Sequence, residues 1–369
     1  MSKDNKKEPK LPKEVSNAFV ISKYYGFDGV SIPELSKEDI ELADKIRKGS
    51  KYEHEDLPPL EHKISLLKAH KDKDFEDHDP VMMYCESGTK SGKTVGGEKN
   101  IQLQIIGTPK SIAEALLIKT TLCILQEEGF KDIGIEINNV GGKESFPNFI
   151  RELNNYYKKH LNEMDTECRQ LFKDGPHALV TCGTTLKPEI KQNSPSPLNY
   201  LNENNRSHFK EGVPYDVNKD ILGNPNYSTN TVFKVLDKKT GKVLATGTRY
   251  NQLAKKIGHK KDLHGVGVTI KISKPKQVPS SRLPKLNNTK FFFIQIGSQA
   301  KFKSLQVLEM LRKAKIPVQQ TITRDKITNQ ISKAKRLNSP YVLIMGQKEA
   351  IENCVLVRDT KSHSQTAVK

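Results

Sequence analysis

Cysteine is scarce in this chain. Five cysteines are spread over 369 residues, without a Cys-x-x-Cys pair or a histidine at the spacing of zinc ligands. We therefore expect neither a disulfide framework nor a metal site, but reduced, packed thiols.

Long hydrophobic runs are also missing, since the longest apolar stretches have the length of a strand. This predicts a cytoplasmic protein without a membrane partner.

Positive charge is plentiful and unevenly distributed. Residues 288–369 hold fifteen Lys and Arg against five Asp and Glu, so this segment carries +10 of the formal net charge of +18. The preceding 287 residues carry only +8. A surface this basic attracts polyanions, and we expect it to bind nucleic acid. The alternative interpretation is an ordinary solvated surface.

The basic segment alternates strand and helix patterns. Strand-like runs lie at residues 291–296, 318–323, 341–346 and 355–358. Apolar residues at helical spacing separate them, first at Leu305, Leu308 and Leu311, then at Ile327, Ile331 and Ala334. This order predicts βαβ units, with a mostly parallel sheet and helices packed over it.

The same segment resembles the anticodon-binding domain of class II aminoacyl-tRNA synthetases, in the histidyl branch. The similarity rests on Leu-Arg-Lys-Ala-Lys-Ile-Pro-Val at 311–318, Ile-Ser-Lys-Ala at 331–334, Ser-Pro-Tyr-Val-Leu-Ile-Met-Gly at 339–346 and Val-Arg-Asp at 357–359. The closing helix usual in such domains is not found. The resemblance implies binding of tRNA or another structured RNA. The side chains expected to contact it are Lys303, Arg324, Lys326, Lys333 and Arg336.

The larger part of the chain resembles the catalytic core of the same family. Residues 25–35 are similar to the entry of motif 1, a dimerisation segment in the family, and Pro33 matches its proline. A helix at 112–126, a strand at 133–137 and a helix ending near Tyr157 follow in the family's order. The predicted fold class is an α+β class II synthetase-like core, an antiparallel sheet flanked by helices, followed by a C-terminal α/β anticodon-binding-like domain.

Four parts of the chain are predicted. They are a disordered basic tail at 1–14, a degenerate catalytic-like core at 15–273, a linker at 274–289 and the anticodon-binding-like domain at 290–369. Within the core, the Ser-Pro-Ser-Pro and asparagine-rich stretch at 193–205 indicates a flexible loop.

The family's catalytic signatures are largely missing. Activation of an amino acid with ATP needs fixed guanidinium groups against the developing negative charge. Alignment with motif 2 puts Glu86 in the place of the arginine, and Gln104 in the place of the glutamate that meets the substrate's amino group. Residues 223–228 keep only Tyr227 of Arg-Gly-Leu-Asp-Tyr-Tyr, and Lys274 replaces the motif 3 arginine.

One signature pair survives. Arg249 and Tyr250 match Gly-Gly-Gly-Arg-Tyr-Asp, although Asn251 replaces the final aspartate. The pair is either part of a remnant pocket or a strand-to-helix corner with Tyr250 packed and Arg249 exposed, and we favour the corner. We assign no catalytic residue. The remnant substrate pocket would comprise Glu86, Gln104, Tyr227, Arg249 and Tyr250.

A competing motif lies at residues 88–94, Gly-Thr-Lys-Ser-Gly-Lys-Thr. It resembles a P-loop, which would indicate a nucleotidase or kinase. The interval between its glycines is one residue too short, and the residues that follow are poor helix formers. We therefore predict a hairpin turn between two strands.

Two functions remain open. The first is a non-catalytic histidyl-tRNA synthetase-like protein, homodimeric through its motif 1 region, that needs no cofactor. It would bind tRNA or another structured RNA and regulate an unknown partner enzyme. The second is a divergent, active histidine–tRNA ligase that uses ATP and Mg²⁺. The missing arginines favour the first function, and the overall likeness to the enzyme keeps the second open.

Overall fold

Two large sheets and a two-stranded ribbon organise the part of the chain that the structure describes. The structure is a computed structural model and describes residues 12–31, 36–47, 60–68, 80–88, 99–142, 144–182, 185–200, 214–224, 226–260, 262–286, 289–324 and 326–369. Its strands are β1 (Glu14–Ser16), β2 (Asp28–Gly29), β3 (Val81–Gly88), β4 (Lys99–Ile106), β5 (Ile133–Asn139), β6 (Asp216–Val217), β7 (Thr229–Asp237), β8 (Val243–Arg249), β9 (Gly265–Ile272), β10 (Gln277–Pro279), β11 (Phe291–Gln295), β12 (Val318–Gln320), β13 (Tyr341–Met345), β14 (Val355–Asp359) and β15 (Gln365–Val368). Its helices are α1 (Asn17–Tyr24), α2 (Lys37–Arg47), α3 (Leu60–Lys68), α4 (Ile112–Glu128), α5 (Ser145–Lys159), α6 (Thr166–Lys173), α7 (Pro176–Cys182), α8 (Pro188–Gln192), α9 (Leu253–Lys256), α10 (Ser298–Lys313), α11 (Ile327–Arg336) and α12 (Gln347–Glu352).

The larger sheet forms the core, with the strand order β2-β3-β4-β9-β8-β7-β5-β6. The strands from β3 to β5 pair antiparallel, and only the short edge strands β2 and β6 are parallel to their neighbours. This confirms the predicted antiparallel sheet flanked by helices.

The two faces of this sheet differ in chemistry because side chains alternate along a strand. In β4, Ile101, Leu103 and Ile105 pack in one cluster with α1 and α4. We call this side the α4 face. Gln102 and Gln104 point to the opposite side, where α2 and α3 pack. We call that side the α3 face.

The strands that flank the P-loop-like motif are those of the predicted hairpin. Strands β3 and β4 pair antiparallel as far as Gly88 and Lys99, and β4 continues to Ile106. The predicted turn itself, at residues 89–98, lies outside the described part of the chain. A P-loop leads from a strand into a helix, whereas the next described element here is a paired strand.

The smaller sheet has the order β12-β11-β13-β14-β15. Strand β11 pairs parallel with β12 and β13, while β14 and β15 each pair antiparallel with the strand before them. The prediction of a mostly parallel sheet is therefore half right. Helices α10 and α12 cover one face of this sheet, and α11 covers the other.

Helix α11 is rotated relative to the prediction. Ile331 was expected to be buried with Ala334, but 38% of Ile331 is exposed. The physical reason is Gln330, which is fully buried and forms two hydrogen bonds to the backbone of Gln295. These bonds turn Gln330 and Ala334 towards the sheet, so Ile331 faces outwards.

The tail and the linker of the prediction meet in the two-stranded ribbon. Glu14, the last residue of the predicted tail, pairs with Pro279 as β1 and β10 run antiparallel. The predicted linker therefore contains a strand. Residues 1–11 of the tail and 32–35 of the motif 1 segment lie outside the described residues, as do 201–205 of the predicted loop.

Four cysteines are buried free thiols, namely Cys85, Cys123, Cys168 and Cys354. Among the described residues, no group of three or more metal-ligating side chains comes together. Within the same ranges, no helix combines the length and apolar character needed to cross a membrane.

The C-terminal sheet is fixed to the α4 face of the core through α10. Tyr25 Oη donates a hydrogen bond to Glu309 Oε2 at 2.7 Å, and Arg312 Nη2 lies 3.1 Å from Glu127 Oε1. Gln320 Nε2 also donates to the carbonyl of Tyr25 at 2.9 Å. The two parts of the chain therefore share polar contacts as well as a continuous apolar core.

Candidate functional site

Helix α3 covers the face where the remnant pocket was predicted. Its residues Leu60, Lys63, Ile64 and Leu67 follow helical spacing and are all buried against the sheet. Three of these are ordinary core residues. The fourth, Lys63, is a lysine that is only 1% exposed.

The ammonium group of Lys63 lies between two tyrosine rings. Its Nζ is 5.8 Å from the ring centroid of Tyr250 and 5.9 Å from that of Tyr227. At this distance the electron-rich face of a ring attracts a cation. Burial acts in the opposite direction and lowers the pKa of Lys63 to about 7, while the nearby charge of Glu61 raises it.

Tyr250 is held in place by Gln104, because its hydroxyl donates a hydrogen bond to Gln104 Oε1. Two glycines of β9 make room for this contact. A Cβ atom at Gly267 would lie 1.9 Å from Gln104 Oε1, and one at Gly265 would lie 2.4 Å from Tyr250 Cε2. A side chain at either position would therefore force Gln104 or Tyr250 out of its present place.

The floor beneath Lys63 is polar and incompletely bonded. Gln102 Nε2 lies 2.8 Å from His62 Nδ1 on α3. Within the described part of the chain, the buried atoms Gln102 Oε1, Gln104 Nε2 and Thr269 Oγ1 have no hydrogen-bond partner. Gln102 and Thr269 are direct neighbours across β4 and β9. Buried polar groups are normally satisfied, so this floor suits water or a polar ligand.

Arg249 does not belong to this pocket, and the prediction that it is exposed is wrong. It is fully buried on the α4 face, where Nε and Nη2 contact the two carboxylate oxygens of Glu114 at 2.6 and 2.5 Å. Its remaining donors bind the carbonyls of Thr108 and Lys110 at 3.0 and 3.3 Å. The guanidinium thus fixes the turn that leads into α4, while Tyr250 packs as predicted.

Glu86 is also outside the pocket, contrary to the prediction. Along β3, Met83 and Cys85 face α3, whereas Tyr84 packs on the α4 face. Glu86 shares the orientation of Tyr84 and accepts a hydrogen bond from its hydroxyl. A carboxylate oxygen of Glu86 also lies 3.5 Å from Lys99 Nζ. Strand alternation explains why the aligned position points away from the pocket.

The structure brings three of the five predicted RNA-contacting cations together. Burial, followed by the charges of Arg324 and Arg336, lowers the pKa of Lys333, while the charge of Asp28 raises it, so the three cations lie close to one another and to one carboxylate. We call Arg324, Lys333 and Arg336 the cationic cluster. Lys326 is exposed at the start of α11. Lys303 lies across the small sheet on α10, where its Nζ donates to Asn353 Oδ1 at 2.7 Å.

Comparisons with known proteins agree with this architecture. Residues 290–369 match the family model described as an anticodon binding domain. The histidine–tRNA ligase of Bacillus licheniformis is 24% identical over 281 residues, which cover 72% of this chain and 66% of that ligase. The ligase of Fervidobacterium nodosum is 26% identical over 276 residues, with 71% and 65% covered. The chain thus spans just under two thirds of the length of these relatives.

The fold comparison points to the same group. The crystal structure of apo S. aureus histidyl-tRNA synthetase matches 95% of this chain and 90% of its own, at 17% identity and a TM-score of 0.50. This chain is similar to class II histidyl-tRNA synthetases in sequence and fold. In this synthetase-like core, Gln104, Tyr227 and Tyr250 lie together on the α3 face.

Sequence reasoning missed two important residues of the synthetase-like core, Lys63 and Glu114. Both left a signal. Lys63 stands in the apolar stripe of α3, three residues after Leu60 and one before Ile64. Glu114 lies in the first turn of a helix whose residues are nearly all buried, which requires a partner for its charge.

Proposed function

We propose that this protein is a non-catalytic histidyl-tRNA synthetase-like protein that binds tRNA or another structured RNA through its C-terminal domain. The observation that carries the proposal is the cationic cluster of Arg324 and the α11 residues Lys333 and Arg336, within the segment that matches an anticodon binding domain. Three neighbouring cations give this surface a positive potential, which attracts a phosphate backbone.

The remnant pocket supports the non-catalytic part of the proposal. Arg249 is buried, and its N–H donors already bind Glu114 and two backbone carbonyls. It therefore cannot bind a phosphate in this arrangement. The aromatic pair Tyr227 and Tyr250 holds the side chain of Lys63. Catalysis of adenylate formation needs preorganised cations facing the substrate, and neither arrangement supplies them.

The alternative is an active histidine–tRNA ligase, favoured by the names of the relatives. Pyrophosphate exchange with histidine, ATP and Mg²⁺ separates the two. We expect exchange at the level of a reaction without protein. Histidine-dependent exchange above that level would establish the ligase and end the non-catalytic proposal, whatever the protein's RNA affinity.

Binding of RNA is tested by removing the cationic cluster. We expect the double variant Lys333→Ala/Arg336→Ala to bind tRNA more weakly and with a shallower salt dependence. Each lost phosphate contact removes about 0.7–0.9 from the slope of log affinity against log salt. Fluorescence anisotropy with labelled tRNA between low and physiological salt measures both quantities.

A matched control is Lys348→Ala/Lys361→Ala, because both lysines are exposed in the C-terminal segment and neither is among the predicted RNA contacts. It removes the same charge and should retain the wild-type slope. Equal losses in the two double variants would mean that net charge alone attracts the RNA. An unchanged affinity after loss of the cluster would rule out α11 as the contact helix.

We further propose a homodimer, formed through the segment that resembles motif 1, and a regulatory role towards a partner enzyme. Strand β2, which lies within the described part of that segment, is an edge strand of the large sheet. Analytical ultracentrifugation tests the first part directly. A monomer at micromolar concentration would remove the homodimer from the proposal.

A further inference from the structure

We propose that Tyr227, Tyr250 and Gln104 form a receptor for a primary ammonium group, and that Lys63 is its resident ligand, supplied by the chain itself. The inference extends the proposed function, since it concerns the same pocket. It adds the class of ligand and the device that keeps that ligand out.

The geometry of an ammonium receptor is present on the α3 face. Two buried tyrosine rings flank one Nζ atom at nearly equal distances of 5.8 and 5.9 Å. Aromatic side chains that surround a cation in this way are a general means of recognising amines. The ring of Tyr250 cannot turn away freely, because its hydroxyl is bonded to Gln104 and its edge lies over Gly265.

An independent observation concerns the polar floor. Among the described residues, Gln104 Nε2, Gln102 Oε1 and Thr269 Oγ1 are buried without a hydrogen-bond partner. A core built only for packing would place apolar side chains here, since each unsatisfied group costs about 1–3 kcal/mol. Donors and acceptors next to an ammonium position suit a ligand that carries an amine and further polar groups.

Lys63 enters this receptor from α3 and not from the sheet. The rest of α3 is bound by apolar contacts of Leu60, Ile64 and Leu67 with the cluster on the α3 face. A ligand amine and Lys63 Nζ would compete for one position. Helix α3 is therefore a plug, and an amine binds only when the lysine side chain leaves.

The test replaces the plug by a free amine. In Lys63→Ala, the deleted atoms correspond to n-propylamine, so we expect n-propylammonium to raise the melting temperature of this variant in a saturable manner at pH 6.5. 1-Propanol has the same shape without the charge, and we expect it to need about tenfold higher concentration for the same shift. Wild-type protein should respond to neither compound.

Two further variants keep the outcome decisive. Lys63→Met fills the same space without a charge and should fold, yet show no response to n-propylammonium. If Lys63→Ala folds only in part, recovery of its near-ultraviolet circular dichroism on adding the amine replaces the melting temperature. Equal rescue by 1-propanol, an equal response of wild type, or no rescue at all would each overturn the inference.

The failure of this inference is distinct from that of the proposed function. Pyrophosphate exchange by the wild-type chain would refute the non-catalytic role and leave the rescue experiment unaffected. An absent rescue with exchange at background would refute the ammonium receptor alone.

Discussion

At the scale of single residues, two neighbours in the sequence have separate tasks. Arg249 points to the α4 face and completes a buried ion pair, while Tyr250 closes the pocket on the α3 face. The Arg249-Tyr250 pair forms one signature in the sequence, but its two side chains lie on opposite faces of the large sheet. Arg249 is the partner that the buried charge of Glu114 requires, independently of the position of Tyr250.

The ion pair gives a stability prediction. In Glu114→Gln, the guanidinium of Arg249 stays buried without a charged partner, and we expect a loss of about 3–5 kcal/mol in the free energy of unfolding. Urea denaturation followed by circular dichroism measures it. Glu152→Gln is the control, because that side chain is 42% exposed beside Arg151 and should cost under about 1 kcal/mol. Similar losses in both variants would contradict a special role for the pair.

Lys63 gives a prediction for pH dependence. Its folded pKa of about 7 lies below the ordinary value of 10.5, so between these values the unfolded chain binds more protons than the folded one. Stability should therefore rise with pH in this window, by up to about 1.4 kcal/mol per unit. Lys63→Met lacks this contribution, so its stability advantage over wild type should be largest near pH 7 and shrink towards pH 10. An advantage that is constant with pH would contradict the buried titration.

At the scale of elements, strongly periodic segments were predictable and tertiary choices were not. The spacing at 112–126 predicts α4, and the structure confirms a helix at Ile112–Glu128. The exposed face of Ile331 was not predictable, because it depends on Gln330 reaching the end of a strand 35 residues away. The orientation of Glu86 depends on strand phase, which an ungapped alignment shifted by one residue reverses.

The residues around the predicted pocket were also predictable only in part. Gln104, Tyr227 and Tyr250 were identified from the resemblance alone, and the structure brings them together. Lys63 comes from a helix that was not among the segments on which the resemblance rests. Its burial follows from the packing of Leu60 and Ile64, which only the assembled sheet can determine.

At the scale of the whole molecule, a buried carboxylate joins the two domains. Glu309 accepts hydrogen bonds from Tyr25 at 2.7 Å, from Arg312 at 2.8 and 3.0 Å, and from the thiol of Cys123 at 3.2 Å. Burial raises its pKa, but the hydrogen bonds from Arg312 and Tyr25 outweigh burial and lower the pKa to about 2. The joint is therefore ionised at any physiological pH.

Neutralising this joint should loosen the C-terminal domain. In Glu309→Gln we expect a loss of about 1.5–3 kcal/mol, the usual contribution of hydrogen bonds to a charged group. Faster proteolysis between residues 280 and 290 should accompany it, together with a smaller loss of stability between pH 4.5 and pH 2 than in wild type. The control Glu352→Gln removes an exposed carboxylate of α12 in the same domain. Equal proteolysis rates for the two variants would show that Glu309 does not hold the domains together.

The plug and the joint lie on opposite sides of one sheet. Lys63 lies on the α3 face, whereas the contacts of Glu309 with Tyr25 and Cys123 are made on the α4 face. If an amine displaces the lysine as we propose, the contacts that attach the C-terminal domain are not disturbed. Binding of a small ligand and binding of RNA would then be independent of each other.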